Sequence, residues 1–441
     1  MYSKKSVSIA CAVGCAVIAL PMLAAAGSAE VERLDELALE NNQAIHAYDA
    51  RVRQSEHQAE FEQKRWPQPM VEYMGEVSTP WSPHFQTGHT IRLMQEIPRG
   101  GQRDRRAAPA RAEAEVQRRE QSRQTVELLR DLRVDAVELA RIDARLELMD
   151  DEIGLLDDAL RVLEATAPLD EMGDYGDFYQ LELARETAVD RRSELRSRRK
   201  ARAAKMASRI GVESEAVEEL AFDAGVLEEW LIELPERDEL VAMATEGERR
   251  LASLEAEAQV AAAQIDLVDE RTRPSPQLMA GYMNRPPMWE MDGPRDQMFE
   301  VGISIPIPIF RGQYDAEASQ WQQAQQAVEL QRSQLADDVR GEIEELLEEW
   351  EADEERLVRH ERELLPLARD LAGQVLVGME VGQRTASDFL TALQQEIELE
   401  GAIIELRADQ VTRLMEFQRL TGGSLGADQA WAYPEEYGGQ R

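Results

Sequence analysis

The sequence predicts a mainly α-helical chain that also carries four membrane-spanning β-strands. Its helices are long enough for coiled coils, and its strands are too few to close a barrel alone. Three observations lead there. The helix formers Ala, Leu, Glu, Gln and Arg dominate the 441 residues. Apolar seams run at heptad spacing. Two pairs of alternating runs each follow a Pro-x-Pro break.

Lys and Arg number 50 against 86 Asp and Glu, a net charge of −36, and aromatic residues make up only 5%. So acidic a surface cannot displace counterions from phosphates, which excludes a nucleic-acid binder working through the backbone. Lysine is confined to Lys4, Lys5, Lys64, Lys200 and Lys205. An acidic, lysine-poor surface suits a protein that meets high external salt, where carboxylates stay hydrated.

Lys4 and Lys5 precede an uncharged stretch from Ser6 to Ser28, and Gly27 and Ala29 fit a cleavage site before Glu30. Residues 1–29 are therefore expected to be a signal peptide. The alternative is a retained anchor, because Val7 to Leu23 approaches spanning length. Cys11 and Cys15 both lie in this segment, so a chain without it holds neither a disulfide nor a thiolate metal site.

Two copies of one pattern organise the remainder. Asp35-Glu36-Leu37 opens a helical run ending at Trp66-Pro67-Gln68-Pro69, and Asp238-Glu239-Leu240 opens another ending at Arg273-Pro274-Ser275-Pro276. Each is followed by two alternating runs, a Gly-rich exit and a pair of long helices broken by a glycine-containing turn. The expected division is repeat one at 30–211 with a hairpin at 70–97, an Asp/Glu-rich linker at 212–235, repeat two at 236–421 with a hairpin at 277–309, and a tail at 422–441.

The first long helix carries Leu128, Leu132, Asp135, Leu139, Ile142, Leu146, Met149, Ile153, Leu156, Leu160 and Leu163 at alternating steps of four and three. From Gly101 to Ala165 that pattern makes a rod of roughly 100 Å at about 1.5 Å per residue. The matching seam of copy two runs Val339, Ile343, Leu346, Trp350, Asp353, Leu357, His360, Leu364, Leu367 and Leu371. In the extended runs, Val71, Tyr73 and Val77 oppose Glu72, Met74 and Glu76, while Ile91, Leu93 and Ile97 oppose Arg92, Met94 and Glu96. Leu278, Ala280 and Tyr282 share one face of the third run, as do the alternate residues from Phe299 to Ile309 in the fourth. Strands of about 9–11 residues with Trp66, Trp81 and Trp289 near their ends fit a membrane barrel. Open edges are not tolerated in lipid, so oligomerisation follows.

These features together resemble the TolC-like outer-membrane efflux factors over essentially the whole chain after the signal peptide. Gln95-Glu96-Ile97-Pro98-Arg99-Gly100-Gly101-Gln102-Arg103 and Val301-Gly302-Ile303-Ser304-Ile305-Pro306-Ile307-Pro308-Ile309-Phe310 resemble strand-exit motifs of the heavy-metal branch. The resemblance implies a homotrimer with a twelve-stranded barrel in outer-membrane lipid and a periplasmic helical tunnel. It also implies a periplasmic adaptor (membrane fusion protein) and an inner-membrane pump of the RND type as partners, with the 212–235 segment in an equatorial belt. The tunnel narrows, and adaptors dock, at the helical tips. On that basis Asp174, Asp177, Glu380 and Asp388 are the expected gate and cation-selecting residues, and Gly173, Gly176, Gly382 and Thr385 the expected docking residues. Asp177 and Asp388 also read as helix N-caps.

Met70, Met74, Met94, Met279, Met283 and Met298 fall opposite the apolar faces. Thioethers favour soft ions such as copper(I), but adaptable packing in a wall shared between chains is the reading favoured from sequence. His46, His57, His84, His89 and His360 are scattered and form no zinc-binding pair. No nucleophile elbow, phosphate-binding loop or metalloprotease motif occurs, so no catalytic residue, cofactor or resident metal is expected. The expected function is a passive outer-membrane exit duct of a tripartite efflux system, with heavy-metal cations as one candidate cargo. Drug efflux or type I polypeptide secretion is the rival within transport, and a periplasmic structural coiled coil the rival outside it.

Overall fold

The computed structural model describes residues 28–77, 87–166, 176–222, 225–285 and 296–425. The expected signal peptide, most of the tail, and Trp81, His84 and Trp289 lie outside them. Helices α1 (Ser28–Asn41) and α2 (Gln43–Lys64) lead into strands β1 (Met70–Val77) and β2 (Thr87–Glu96), then α3 (Gln102–Thr166) and α4 (Gly176–Ile210). The short helices α5 (Ser214–Glu218) and α6 (Val226–Glu229) follow. Then come α7 (Arg237–Gly247), α8 (Arg249–Arg271), β3 (Gln277–Arg285), β4 (Asp296–Ser304) and α9 (Gly312–Arg359). A π turn at His360–Leu364 joins α9 to α10 (Leu365–Glu380), and α11 (Ala386–Leu420) ends the order. No described helix is long and apolar enough to cross a membrane.

The chain divides into two compact units. One holds Asp35–Val134, Leu231–Val358 and the residues from Asp409, and contains the sheet. Its four strands pair antiparallel in the order β1-β2-β3-β4. The sequence shows two separate hairpins; the structure joins them through β2 and β3, with Leu93 opposite Ala280 and Ile91 opposite Tyr282. Register then aligns whole rows. Tyr73, Ile91, Tyr282 and Phe299 stand abreast on one face, as do Val71, Leu93, Ala280 and Val301. That apolar face is uncovered in the single chain, Phe299 at 83% and Val301 at 88% exposure.

The fourth strand stops at Ser304, short of the Ile309 that the alternation suggested. Pro306 and Pro308 lack the N–H groups a ladder needs, so Ile305, Ile307, Ile309 and Phe310 continue as an exposed, unpaired segment.

Beneath the strands, buried polar contacts fix the helix starts. Gly101 at φ +80° turns the chain into α3. The Gln102 side-chain oxygen accepts from the Arg99 N–H and the Ser275 hydroxyl, both at 3.1 Å. Trp66 is exposed at the strand exit with the Arg103 guanidinium 5.2 Å above its ring. Deeper in the unit, the fully buried Arg133 donates to Asp35 at 3.0 and 2.9 Å and to Gln418 at 3.0 Å, tying α1, α3 and α11 together.

The second unit holds Asp135–Trp230, Arg359–Ala408 and residues up to Leu34. Its core packs Ile153, Leu156, Leu181, Ala188, Val375, Met379, Phe389 and Leu393. Asp135, the polar break in the first seam, is buried between Arg202, at 2.9 Å, and Arg209. The acidic linker contributes its own apolar anchors: Val217, Phe222, Val226, Leu227 and Trp230 are buried, with Phe222 edge-on to Trp230. Asp143 holds this segment by accepting from Arg199 at 3.0 Å and from the Phe222 N–H at 3.2 Å.

The seam expected for copy two is corrected from the π turn onward. Leu364, Leu367 and Leu371 are exposed in the single chain, and the buried stripe is Ala368, Ala372, Val375 and Met379. The Leu365 N–H donates to the His360 carbonyl, five residues back. Pro366 has no N–H for the Arg362 carbonyl, so the ladder widens there and every later position rotates by one residue.

Candidate functional site

Of the candidate gate residues, Asp177, Glu380 and Asp388 sit where the second unit's helices turn. Helix α10 ends in a Schellman arrangement: the Gln383 N–H donates to the Gly378 carbonyl at 2.8 Å, and the Gly382 N–H to the Met379 carbonyl at 3.0 Å. Gly382 takes φ +72°, which only glycine adopts without strain, so its first duty is to reverse the chain. A Cβ on Gly378 would lie 2.6 Å from Arg384 Cγ, so the Arg384 stem packs against bare backbone.

Helix α11 then starts with a capping box. The Thr385 hydroxyl accepts from the Asp388 N–H at 3.2 Å, and the Asp388 carboxylate accepts from the Thr385 N–H at 3.1 Å. The N-cap is thus Thr385, and Asp388, expected as the cap itself, is its reciprocal partner three residues on. The Thr385 N–H and hydroxyl, with the nearby Arg384 charge, hold the Asp388 carboxyl below its ordinary value. Asp177 lies in the first turn of α4 and is no N-cap either. Its carboxylate reaches across to the Ala386 N–H at 3.5 Å, the long limit for such a bond, and adds negative charge at the positive end of α11. Glu380 is exposed in the last turn of α10, and Gly176 begins α4. Gly173 and Asp174 lie outside the described residues. Asp177, Thr385 and Asp388 therefore converge on one helix start; the Thr385–Asp388 part was legible beforehand in the Thr385-x-x-Asp388 spacing but not read there.

A second charged constellation, not anticipated, crosses the polar face of the sheet. Arg92 on β2 contacts Glu300 on β4 and lies 3.5 Å from Glu72 on β1. The Arg92–Glu300 pair spans β3 at Gly281, where a Cβ would stand 2.6 Å from Glu300 Oε1. An isolated glycine in a strand was the available signal. Among the described residues, no group of three or more His, Cys, Asp or Glu side chains could hold a metal ion.

Residues 240–423 match the family model described as outer membrane efflux protein. That span, less than half of the chain, is similar to an outer membrane efflux protein domain. The TolC-like resemblance drawn from the helix, Pro-x-Pro and hairpin pattern is upheld. The matched span contains β3, β4, Glu380, Gly382, Thr385 and Asp388, whereas Asp174 and Asp177 precede it. Solved structures share the fold over most of the chain. The outer membrane protein VceC from Vibrio cholerae does so at TM-score 0.69 and 13% identity, covering 89% of this chain and 96% of that one. CusC gives 0.71 and 14%, covering 91% and 96%. The open state of the Neisseria gonorrhoeae MtrE outer membrane channel gives 0.66 and 14%, covering 90% and 89%. At such identities the likeness is one of fold. No curated protein sequence matches the chain.

Proposed function

We propose that this protein is the outer-membrane exit duct of a tripartite efflux system, a homotrimer that passively passes substrate from an inner-membrane RND-type pump and a periplasmic adaptor to the exterior. The observation that carries the reading is the sheet. It has one exposed apolar face, one polar face and two outer edges, β1 and β4, left open in the single chain. Lipid tolerates no open edge, and four strands cannot close on themselves, so copies must join edge to edge; with the trimer that the TolC-like resemblance implies, they make a barrel of twelve. The exposed Leu364, Leu367 and Leu371 stripe supports contact between copies in the helical part as well. A periplasmic structural coiled coil offers no use for an uncovered face of Tyr73, Ile91, Phe299 and Val301.

The gate follows from the tips. Threefold symmetry turns each inward acidic side chain into a ring that attracts cations and resists closure. Asp177 and Asp388 are committed to the start of α11, which leaves the exposed Glu380, together with Asp174 on the strength of its place in the sequence, as the gate candidates. Gly173, Gly176, Gly382 and Thr385 shape the surface on which the adaptor docks. Heavy-metal cations are the proposed cargo, on the strength of the strand-exit motifs. The test is deletion of the gene and growth against metals, dyes and antibiotics. Sensitivity to metals alone supports this cargo, sensitivity to dyes or antibiotics moves it to drug efflux, and no change points to polypeptide secretion. In planar bilayers, Asp174→Ala with Glu380→Ala raises resting conductance and weakens cation preference; unchanged traces would remove both from the gate.

A further inference from the structure

We propose that the polar face of the sheet holds a binding site for a soft monovalent cation of the copper(I) or silver(I) class, built by Met70, Met94 and Met279. The register sets these residues directly opposite one another on three consecutive strands, Met70 against Met94 and Met94 against Met279. Facing residues have Cβ atoms about 4.5–5.5 Å apart, so the two outer thioethers can bend inward to meet the central one. A second row sets Met74 and Met283 on either side of Thr90, with Met298 opposite Met283. The rows are four residues apart along each strand, roughly 13 Å.

Exposure argues against a packing role. Met70 is 57% exposed and Met94 and Met279 are half-buried, whereas Met149, Met206, Met379 and Met415 in the helices are all buried. The apolar rows of this sheet point the other way, so the methionines add nothing to that face. Gly302 ends the first row, and the Met279 methyl leans over its bare backbone, 3.0 Å from where a Cβ would stand; a change of rotamer brings that thioether back toward Met94. Between the rows lie Glu72, Arg92 and Glu300, two carboxylates against one guanidinium, a net negative band that favours cations. Thioether sulfur selects soft ions such as copper(I) over hard ones, and it holds no charge of its own that would trap them. Exposed sites of this kind suit a wall along which an ion passes from row to row.

The proposal deepens the duct reading, on which it rests for the face being turned inward, but binding is measurable without conduction. The full protein in detergent, with Cys11→Ser and Cys15→Ser to remove thiols and with methyl-labelled methionine, is titrated with silver nitrate in chloride-free buffer. The Met70, Met94 and Met279 methyl signals should move together along one saturating curve, with Met206 and Met415 still, and zinc should move none of them. Loss even of groups behind a metal ligand costs about 10- to 100-fold in affinity, so Met94→Leu should weaken silver binding by roughly tenfold or more. Static methyl signals in the unsubstituted methionine set, or equal affinity in the Met70→Leu, Met94→Leu, Met279→Leu variant, overturn the site. Potassium conductance of the same preparation reads the duct separately. Conduction without silver shifts overturns only the cation site, and silver shifts without conduction uphold the site while overturning the duct.

Discussion

Replacing Arg133 with Met tests the polar tie at the centre of the sheet-bearing unit. Arg133 is fully buried and the Asp35 side chain is 3% exposed, so the substitution strips a cation from a carboxylate that water barely reaches. Breaking such a pair from one side costs roughly 3–5 kcal/mol, because the remaining charge keeps its desolvation penalty without this compensation. The bonds themselves set a higher ceiling: three charge-assisted contacts, two to Asp35 and one to Gln418, at about 1.5–3 kcal/mol each. Removing both charges behaves differently. Asp35→Leu with Arg133→Met leaves neutral partners such as the Gln418 amide short of a bond, a cost of about 1–3 kcal/mol. Guanidinium unfolding followed by tryptophan fluorescence measures both, since Trp350 packs edge-on to Phe417, next to Gln418. A single substitution costing less than about 1 kcal/mol, or a double variant no more stable than the single, would refute the reasoning.

Two further outcomes follow from glycine and capping geometry. Gly281→Ala puts a methyl group 2.6 Å from Glu300 Oε1 and 3.1 Å from Arg92 Cγ, and should destabilise the protein by about 1–3 kcal/mol in thermal unfolding. Gly75→Ala, whose Cβ would meet nothing nearer than 3.8 Å, should be neutral or gain about 0.5 kcal/mol, and equal effects would discount the Arg92–Glu300 bridge. At the α11 start, the folded Asp388 carboxyl titrates below its unfolded value, so its contribution is complete above the unfolded pKa and fades as pH falls through the lower folded one. Carboxyl carbon NMR should show that low midpoint, and Thr385→Ala should raise it toward the ordinary range; a midpoint unmoved by losing the hydroxyl would deny the box its role.

What could be read in advance was what repeats. Period-two alternation put Tyr73, Ile91, Tyr282 and Phe299 on one face before any pairing was known, and heptad spacing found Leu132, Leu139, Met149 and Leu156, all buried. Non-local pairing was invisible. Nothing near Arg133 announces Asp35 or Gln418, and nothing in either hairpin states that β2 lies against β3. Local chemistry passed over was legible in principle. Pro366 marks the place where the second seam slips by one residue, Gly281 marks a side chain crossing a strand, and Thr385-x-x-Asp388 spells a helix start. Apolar spacing alone hid the first because it assumes one helical period throughout, and the π turn breaks that assumption.

The open strand edges at β1 and β4 carry a kinetic consequence. A chain that has folded its helices but met no partners presents two hydrogen-bonding templates and a greasy face, the combination that invites pairing with any passing strand. In the proposed trimer, correct closure competes with that fate, and it depends on the supply of sister chains while wrong pairing depends on everything else in the compartment. Yield of mature protein should therefore rise more steeply than expression level when chains are scarce, and the dwell time of lone subunits becomes the quantity that the cell must control.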